Sequence, residues 1–301
     1  MRSKGWVWFL SGKLRPWDLM SLGFTARQLG LEGTRLTVIS ESGFFPGSLV
    51  EVVSWNGQDA LARGLTLLFR GNAWHLWGSA PRWWPIISTR ALTVHSFKDP
   101  EQRWCGHPSV FSGIAAEADP NSWRPAFERD LSWGQPGDSH GDPMALVVFP
   151  SSMSRPDRRA IEVLQRGVGL PIAKLTDQGG AFTGASGAID DGDAVRFLSG
   201  RGRLLILPGV DLSSAILAGF AALYGVPTVA PWSPILDDLL GIDGYIALRK
   251  DVPIPSGEEL IGERGKTAAV AARHRIILKF TPEASALSIT NMYKALSEGA
   301  L

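Results

Sequence analysis

Residues 205–233 read LILPGVDLSSAILAGFAALYGVPTVAPWS, and this stretch decides the fold. An apolar run ends at Pro208-Gly209. Asp211, Ser213 and Ser214 then offer caps for a helix. Gly225-Val226-Pro227 closes that helix before a second apolar run starts at Thr228. Strand, helix and strand in so short a span predict a parallel β-α-β unit. The helix N-terminus falls just beyond the carboxyl end of a buried strand. Backbone N–H groups and the positive end of the helix dipole favour an anion there.

The same grammar extends in both directions. Upstream, MALVVFP (144–150) predicts a strand, 154–165 a helix with Pro156 in its first turn, and LPIAKLT a strand. Residues 194–199 predict a short helix, and TPEASALSITNMYKALSEG a closing one. In the first half, VWFL (7–10), LTVIS (36–40), LVEVVSW (49–55) and ALTVHSF read as strands. Helical patterns run over 17–29 and 58–69. Between the halves, LSWGQPGDSHGDP (131–143) is rich in Gly and Pro and poor in apolar residues, as linkers are. The prediction is an α/β protein of two doubly wound, Rossmann-like domains facing a cleft. Residues 1–135 form the first domain, 136–143 the linker and 144–282 the second domain. Residues 283–301 form a helix packing back on the first domain. Ligands of such sheets bind beyond the carboxyl ends of the strands.

Bulk properties exclude several classes. A net charge of +1 across 301 residues gives no field for nucleic acid. The single cysteine, Cys105, rules out a disulfide framework and a cysteine-rich metal site. No HExxH, GxGxxG, Walker or GxSxG motif is present. No metal or other cofactor is expected. The apolar run at 6–10 is too short for a secretory signal. A cytoplasmic protein is predicted, at most at the inner face of a membrane. Twelve tryptophans are unusual. The cluster from Trp74 to Trp84 reads as core packing with one exposed face, as a sugar-stacking surface, or, with Arg70, Arg82 and Arg90, as a surface for peripheral membrane contact.

The candidate site residues follow from strand ends. Asp211, Leu212, Ser213 and Ser214 open the helix of the first quoted stretch and suit a phosphate or diphosphate. Arg155 stands in the turn after the strand 144–150, where arginine recognises phosphate in a bidentate way. Gly12 follows the first strand and allows close backbone approach, with Lys13 beside it. His95 ends a strand and can exchange a proton near neutral pH.

These pieces, in this order, resemble the GT-B glycosyltransferases, in particular the retaining, glycogen-synthase-like group. ALTVHSF is similar to that group's strand ending in Val-His. SAILAGFAALYGVPTVAP is similar to its donor-site helix, and FTPEASALSITNMYKAL to its closing helix. The resemblance implies a nucleoside-diphosphate-sugar donor on the second domain. It implies a glycan, lipid-linked or small-molecule acceptor on the first, and no divalent metal. It places Arg155 at the phosphate-binding lysine, His95 at the family's histidine and Gly12 in the acceptor loop. The family's partner arginine falls at Pro150. Its two glutamates, eight apart, fall at Leu212 and Phe220, with Asp211 one place from the first. Two main readings follow, beside a third in which the same fold serves a sugar-nucleotide epimerase with Glu41 and Glu117 as its candidate carboxylates. One is an active transferase; the other is a catalytically degenerate glycosyltransferase-like subunit that binds a partner.

Overall fold

The structure, a computed structural model, describes residues 5–10, 14–41, 50–54, 73–78, 93–96, 110–114, 122–128, 142–150, 156–176 and 185–298, with helical positions 62, 64, 66, 67, 84 and 87. The chain runs β1 (Trp6–Leu10), α1 (Pro16–Leu31), β2 (Leu36–Ser40), β3 (Glu51–Ser54), β4 (Ala73–Trp77), β5 (Thr93–Ser96), β6 (Val110–Ile114) and β7 (Ser122–Trp123). It continues with β8 (Met144–Val147), α2 (Arg158–Arg166), β9 (Ile172–Leu175), β10 (Gly187–Ile189), α3 (Ala194–Gly200), β11 (Gly202–Ile206) and α4 (Leu212–Leu223). β12 (Thr228–Pro231), α5 (Pro234–Leu240), β13 (Ile246–Leu248), α6 (Gly257–Ile261), α7 (Glu263–Lys279) and α8 (Pro282–Ser297) complete it.

The elements form two compact units, Met1–Ala126 with Pro282–Leu301, and Phe127–Thr281. Each holds one parallel sheet. The order is β3-β2-β1-β4-β5-β6-β7 in the first and β10-β9-β8-β11-β12-β13 in the second. Both orders reverse once, between β1 and β4 and between β8 and β11. That reversal is the topological switch point of a doubly wound sheet. The unit boundary falls ahead of residues 136–143 because Phe127 belongs to the second core. Its ring meets Phe220 edge-on at 5.0 Å, and its N–H donates to Phe280 O at 2.9 Å. Just before it, the Ala126 N–H donates to Ser21 Oγ in the first unit. α8 belongs to the first unit, where the Ser285 and Thr25 hydroxyls of α8 and α1 meet at 2.6 Å.

The first core corrects the tryptophan expectation. β4 pairs with β1 along one edge and β5 along the other, and all five of its residues are buried. Trp74, Trp77 and Trp84 are at most 1% exposed and form no surface for a membrane. Trp83 lies outside the described residues. Val7 and Phe9 pack with Trp74, Leu76 and Trp84 on one side of β1. On the other side Trp8 donates its Nε1–H to the Tyr293 hydroxyl at 2.6 Å, and that hydroxyl lies 2.9 Å from His75 Nδ1. The hydroxyl thus meets the Trp8 indole N–H and a His75 ring nitrogen at once and joins the three side chains in one buried polar contact. Burial pushes the Tyr293 phenol well above its ordinary pKa. His75 is therefore a core group that ties α8 to β1 and β4.

The second core gathers Ala145 and Val147 of β8, Leu204 and Ile206 of β11, Val229, Ile246 and one face of α2. Residues 214–223 of α4 are all buried, which suits a helix apolar on every side. α2 starts later than predicted. Asp157 is its N-cap and accepts from the Arg159 and Ala160 N–H groups, which leaves Pro156 outside the first turn. No helix among the described residues is long and apolar enough to cross a membrane.

Candidate functional site

The site lies at the carboxyl edge of the second sheet, at its switch point. β8 runs on past Val147, and the Val148 N–H donates to Ile206 O of β11 at 3.0 Å. Past Ile206, Leu207, Pro208 and Gly209 are buried and lead into α4. The Asp157 N–H donates to Pro208 O at 2.7 Å. That bond ties the entry of α2 to the turn that opens α4, so two helix N-termini face out together from one edge.

Asp211 is the N-cap of α4. Its Oδ1 accepts from the Ser214 N–H at 2.7 Å, and Ser214 Oγ accepts from the Asp211 N–H at 2.9 Å. The Ser214 hydroxyl also donates to Asp211 O at 3.0 Å, so the reciprocal cap takes its one proton. Leu212 and Ser213 follow as the first two helical residues, both half-buried. The positive end of the helix dipole lies at this first turn. Of the predicted quartet, Asp211 and Ser214 build the helix end, and Leu212 and Ser213 present it.

The remaining predicted residues divide between the units. His95 is the third residue of β5, in register with Leu76 of β4 and Phe111 of β6. Gly12, Lys13 and Arg155 lie outside the described residues. Their flanks place them: Gly12 and Lys13 between β1 and α1, and Arg155 between β8 and α2. Pro150 is buried. Phe220 is 0% exposed, so the second acidic position of the resembling family is core in this chain. Arg159 donates from both terminal nitrogens to the carbonyls of Arg249 and Val252 beyond β13. It clasps that loop.

Sequence reasoning missed one group at the edge. Trp232 follows β12 directly and donates Nε1–H to Asp237 Oδ2 at 2.9 Å. Asp237 Oδ1 accepts from the Tyr245 hydroxyl at 2.8 Å, and that oxygen accepts from the Ser233 N–H at 3.2 Å. Burial raises the Tyr245 phenol far above its ordinary pKa, so it stays protonated and donates to Asp237. A tryptophan between two prolines at the end of an apolar strand was the available signal.

No family model matches the chain. No curated protein matches it either. Solved structures do. A glycosyltransferase from Rickettsia africae is 10% identical, with 99% of this chain and 100% of that one covered at a TM-score of 0.60. The sucrose-phosphate synthase of Thermosynechococcus elongatus is 12% identical, with 98% and 100% covered at 0.58. Anabaena HepE, solved in complex with UDP-glucose, is 11% identical, with 97% and 99% covered at 0.58. The fold is GT-B. The GT-B likeness spans nearly the whole chain, and at these identities it speaks to fold alone.

Proposed function

We propose that this protein is a glycosyltransferase that moves a sugar from a nucleoside-diphosphate sugar to an oxygen acceptor, with retention and without a metal. The observation that carries the reading is the pair of helix N-termini, α2 and α4, tied by the Asp157–Pro208 bond at the switch point of a GT-B fold. On this reading the diphosphate lies over the first turn of α4. Charge grows on the leaving oxygen as the glycosidic bond breaks, and a preorganised dipole stabilises it without reorganisation. Arg155 adds a cation from the loop before α2. His95 orients the transferred sugar, and Gly12 and Lys13 receive a glycan, lipid-linked or small-molecule acceptor. The Anabaena structure of the same fold was solved with UDP-glucose, which makes a uridine diphosphate sugar the first donor to test.

The burial of Phe220 favours a second reading, a catalytically degenerate subunit that keeps the fold and binds a partner. A thermal-shift panel of nucleoside diphosphates and nucleotide-sugars, with and without EDTA, separates the two, because a ligand of the folded state raises Tm by mass action. The transferase reading expects an EDTA-insensitive shift with one base, lost in Arg155→Ala. No shift with any nucleotide supports the partner-binding subunit.

A further inference from the structure

We infer that Trp232 is the platform on which the nucleobase of the donor stacks, an inference that rests on the nucleotide-sugar reading above. The indole is 53% exposed, although tryptophan is ordinarily drawn into a core or an interface. It is also held. Its N–H is fixed by Asp237, and Asp237 is fixed by the hydroxyl of buried Tyr245. The polar edge of the ring is anchored while about half of the residue stays open to solvent.

Position gives the ring its ligand. β11 and β12 pair with Ile206 opposite Val229, and the Leu207 N–H extends the pairing to Val229 O. Beyond these pairs Trp232 directly follows the end of β12, and Gly209 lies in the bend that leads from β11 to α4, so both stand at the carboxyl edge of neighbouring strands. Neighbouring strands are about 4.8 Å apart. A base joined through ribose to a diphosphate on the α4 N-terminus therefore lies within reach of this indole. A helix staple does not account for the ring. Trp232 does precede the N-cap Ser233, with Asp237 at the fourth helical position, which is the staple spacing. A staple closes through apolar contact, however, and here the partner is a carboxylate that takes only the N–H. Stacking is tolerant of base identity. Trp232 supplies affinity for any nucleoside diphosphate, and other groups choose the base.

The test is calorimetric titration of UDP, ADP, GDP and inorganic pyrophosphate into wild type, Trp232→Phe and Trp232→Leu. Leucine keeps apolar bulk ahead of α5 but has no π face. Trp232→Leu is expected to weaken every nucleoside diphosphate that wild type binds by about tenfold. Pyrophosphate binding and Tm should stay unchanged, and Trp232→Phe should bind nucleotides nearly as wild type does. Equal nucleotide binding by Trp232→Leu overturns the inference, as does a parallel loss of nucleotide and pyrophosphate. Wild type that binds no nucleoside diphosphate overturns the donor reading itself. A second measurement needs no leucine variant. The acrylamide-quenchable fluorescence absent from Trp232→Phe must be shielded in wild type by the best-binding nucleotide, and a lack of shielding refutes the stacking.

Discussion

Asp211 does two things that a pair of substitutions can separate. Its carboxylate satisfies the N–H of Ser214, a residue only 2% exposed, and it places a negative charge where an incoming diphosphate would sit. Asp211→Ala removes the acceptor and leaves a buried donor unpaired, a loss of about 1–2 kcal/mol. In a unit of this size that lowers Tm by roughly 2–8 °C. Asp211→Asn keeps the acceptor and cancels only the charge, so the stability change stays near 0.3–1 kcal/mol, the charge–dipole interaction alone. Its ligand effect has the opposite sign. A unit charge about 6–8 Å away, at an effective dielectric between about 20 and 80, repels an anion by roughly 0.5–3 kcal/mol. Asp211→Asn should therefore bind pyrophosphate several-fold more tightly than wild type. Urea unfolding and calorimetric titration measure the two effects. If Asp211→Ala unfolds at the wild-type midpoint, the cap is not stabilising. If Asp211→Asn binds pyrophosphate more weakly, α4 is not the anion seat.

Three further outcomes concern the scaffold. A Cβ on Gly219 would stand 2.3 Å from Cζ of Phe127, whose ring is wedged against Phe220 and Phe280, so Gly219→Ala overpacks the second core. Overpacking by about 1–3 kcal/mol exceeds the helix-propensity gain of about 1 kcal/mol, and a raised urea midpoint would contradict this. Tyr293→Phe strands the Trp8 N–H and His75 Nδ1 in the first core and should cost about 2–4 kcal/mol, with a lowered thermal transition as the check. Burial raises the phenols of Tyr293 and Tyr245 above their unfolded pKa, so their contribution to stability is complete below about pH 10 and falls as pH rises further, by up to about 1.4 kcal/mol per unit for each. Phenolate absorbance assigned to Tyr293 by difference from Tyr293→Phe should then appear only as the circular dichroism collapses, and its appearance in the folded protein would refute that assignment.

What the sequence disclosed was local. β1, β2, β9, β11, β12, α1 and α4 lie within a few residues of their predicted bounds, because apolar runs and Pro-Gly or Gly-Val-Pro punctuation act on neighbouring residues. α7 was not read. Its buried face is Gly265, Ala268, Ala269, Ala272 and Ile276, and small residues draw no apolar stripe. Core packing was read correctly for Trp74, Trp77 and Trp84, and the membrane surface was not, because full burial depends on tertiary packing around a central strand and leaves no local pattern. The α4 end of the candidate site was legible, since strand, turn and cap are contiguous. Trp232 was not. Its meaning comes from Asp237 and Tyr245, five and thirteen residues further on, with spacings that match no motif.

Leu212 and Phe220, where the resembling family carries glutamates, bear on how a donor can be held. Leu212 opens α4, and Phe220 lies eight residues on, about 12 Å further along the axis at 1.5 Å per residue. Phe220 is two turns inside the core against Phe127. A glutamate there would be buried among aromatic rings, so Phe220→Glu would strongly destabilise the unit. On the proposed reading, the donor is held by the α4 dipole, Arg155 and Trp232. These differ in one respect that kinetics can see. Stacking on Trp232 is the same in the ground and transition states, whereas the helix end and Arg155 face a charge that grows as the diphosphate leaves. Trp232→Leu should therefore raise KM with kcat unchanged, and Arg155→Ala should lower kcat. The reverse pattern would place Trp232 against the reacting centre and Arg155 away from it, which is incompatible with a diphosphate seated on α4.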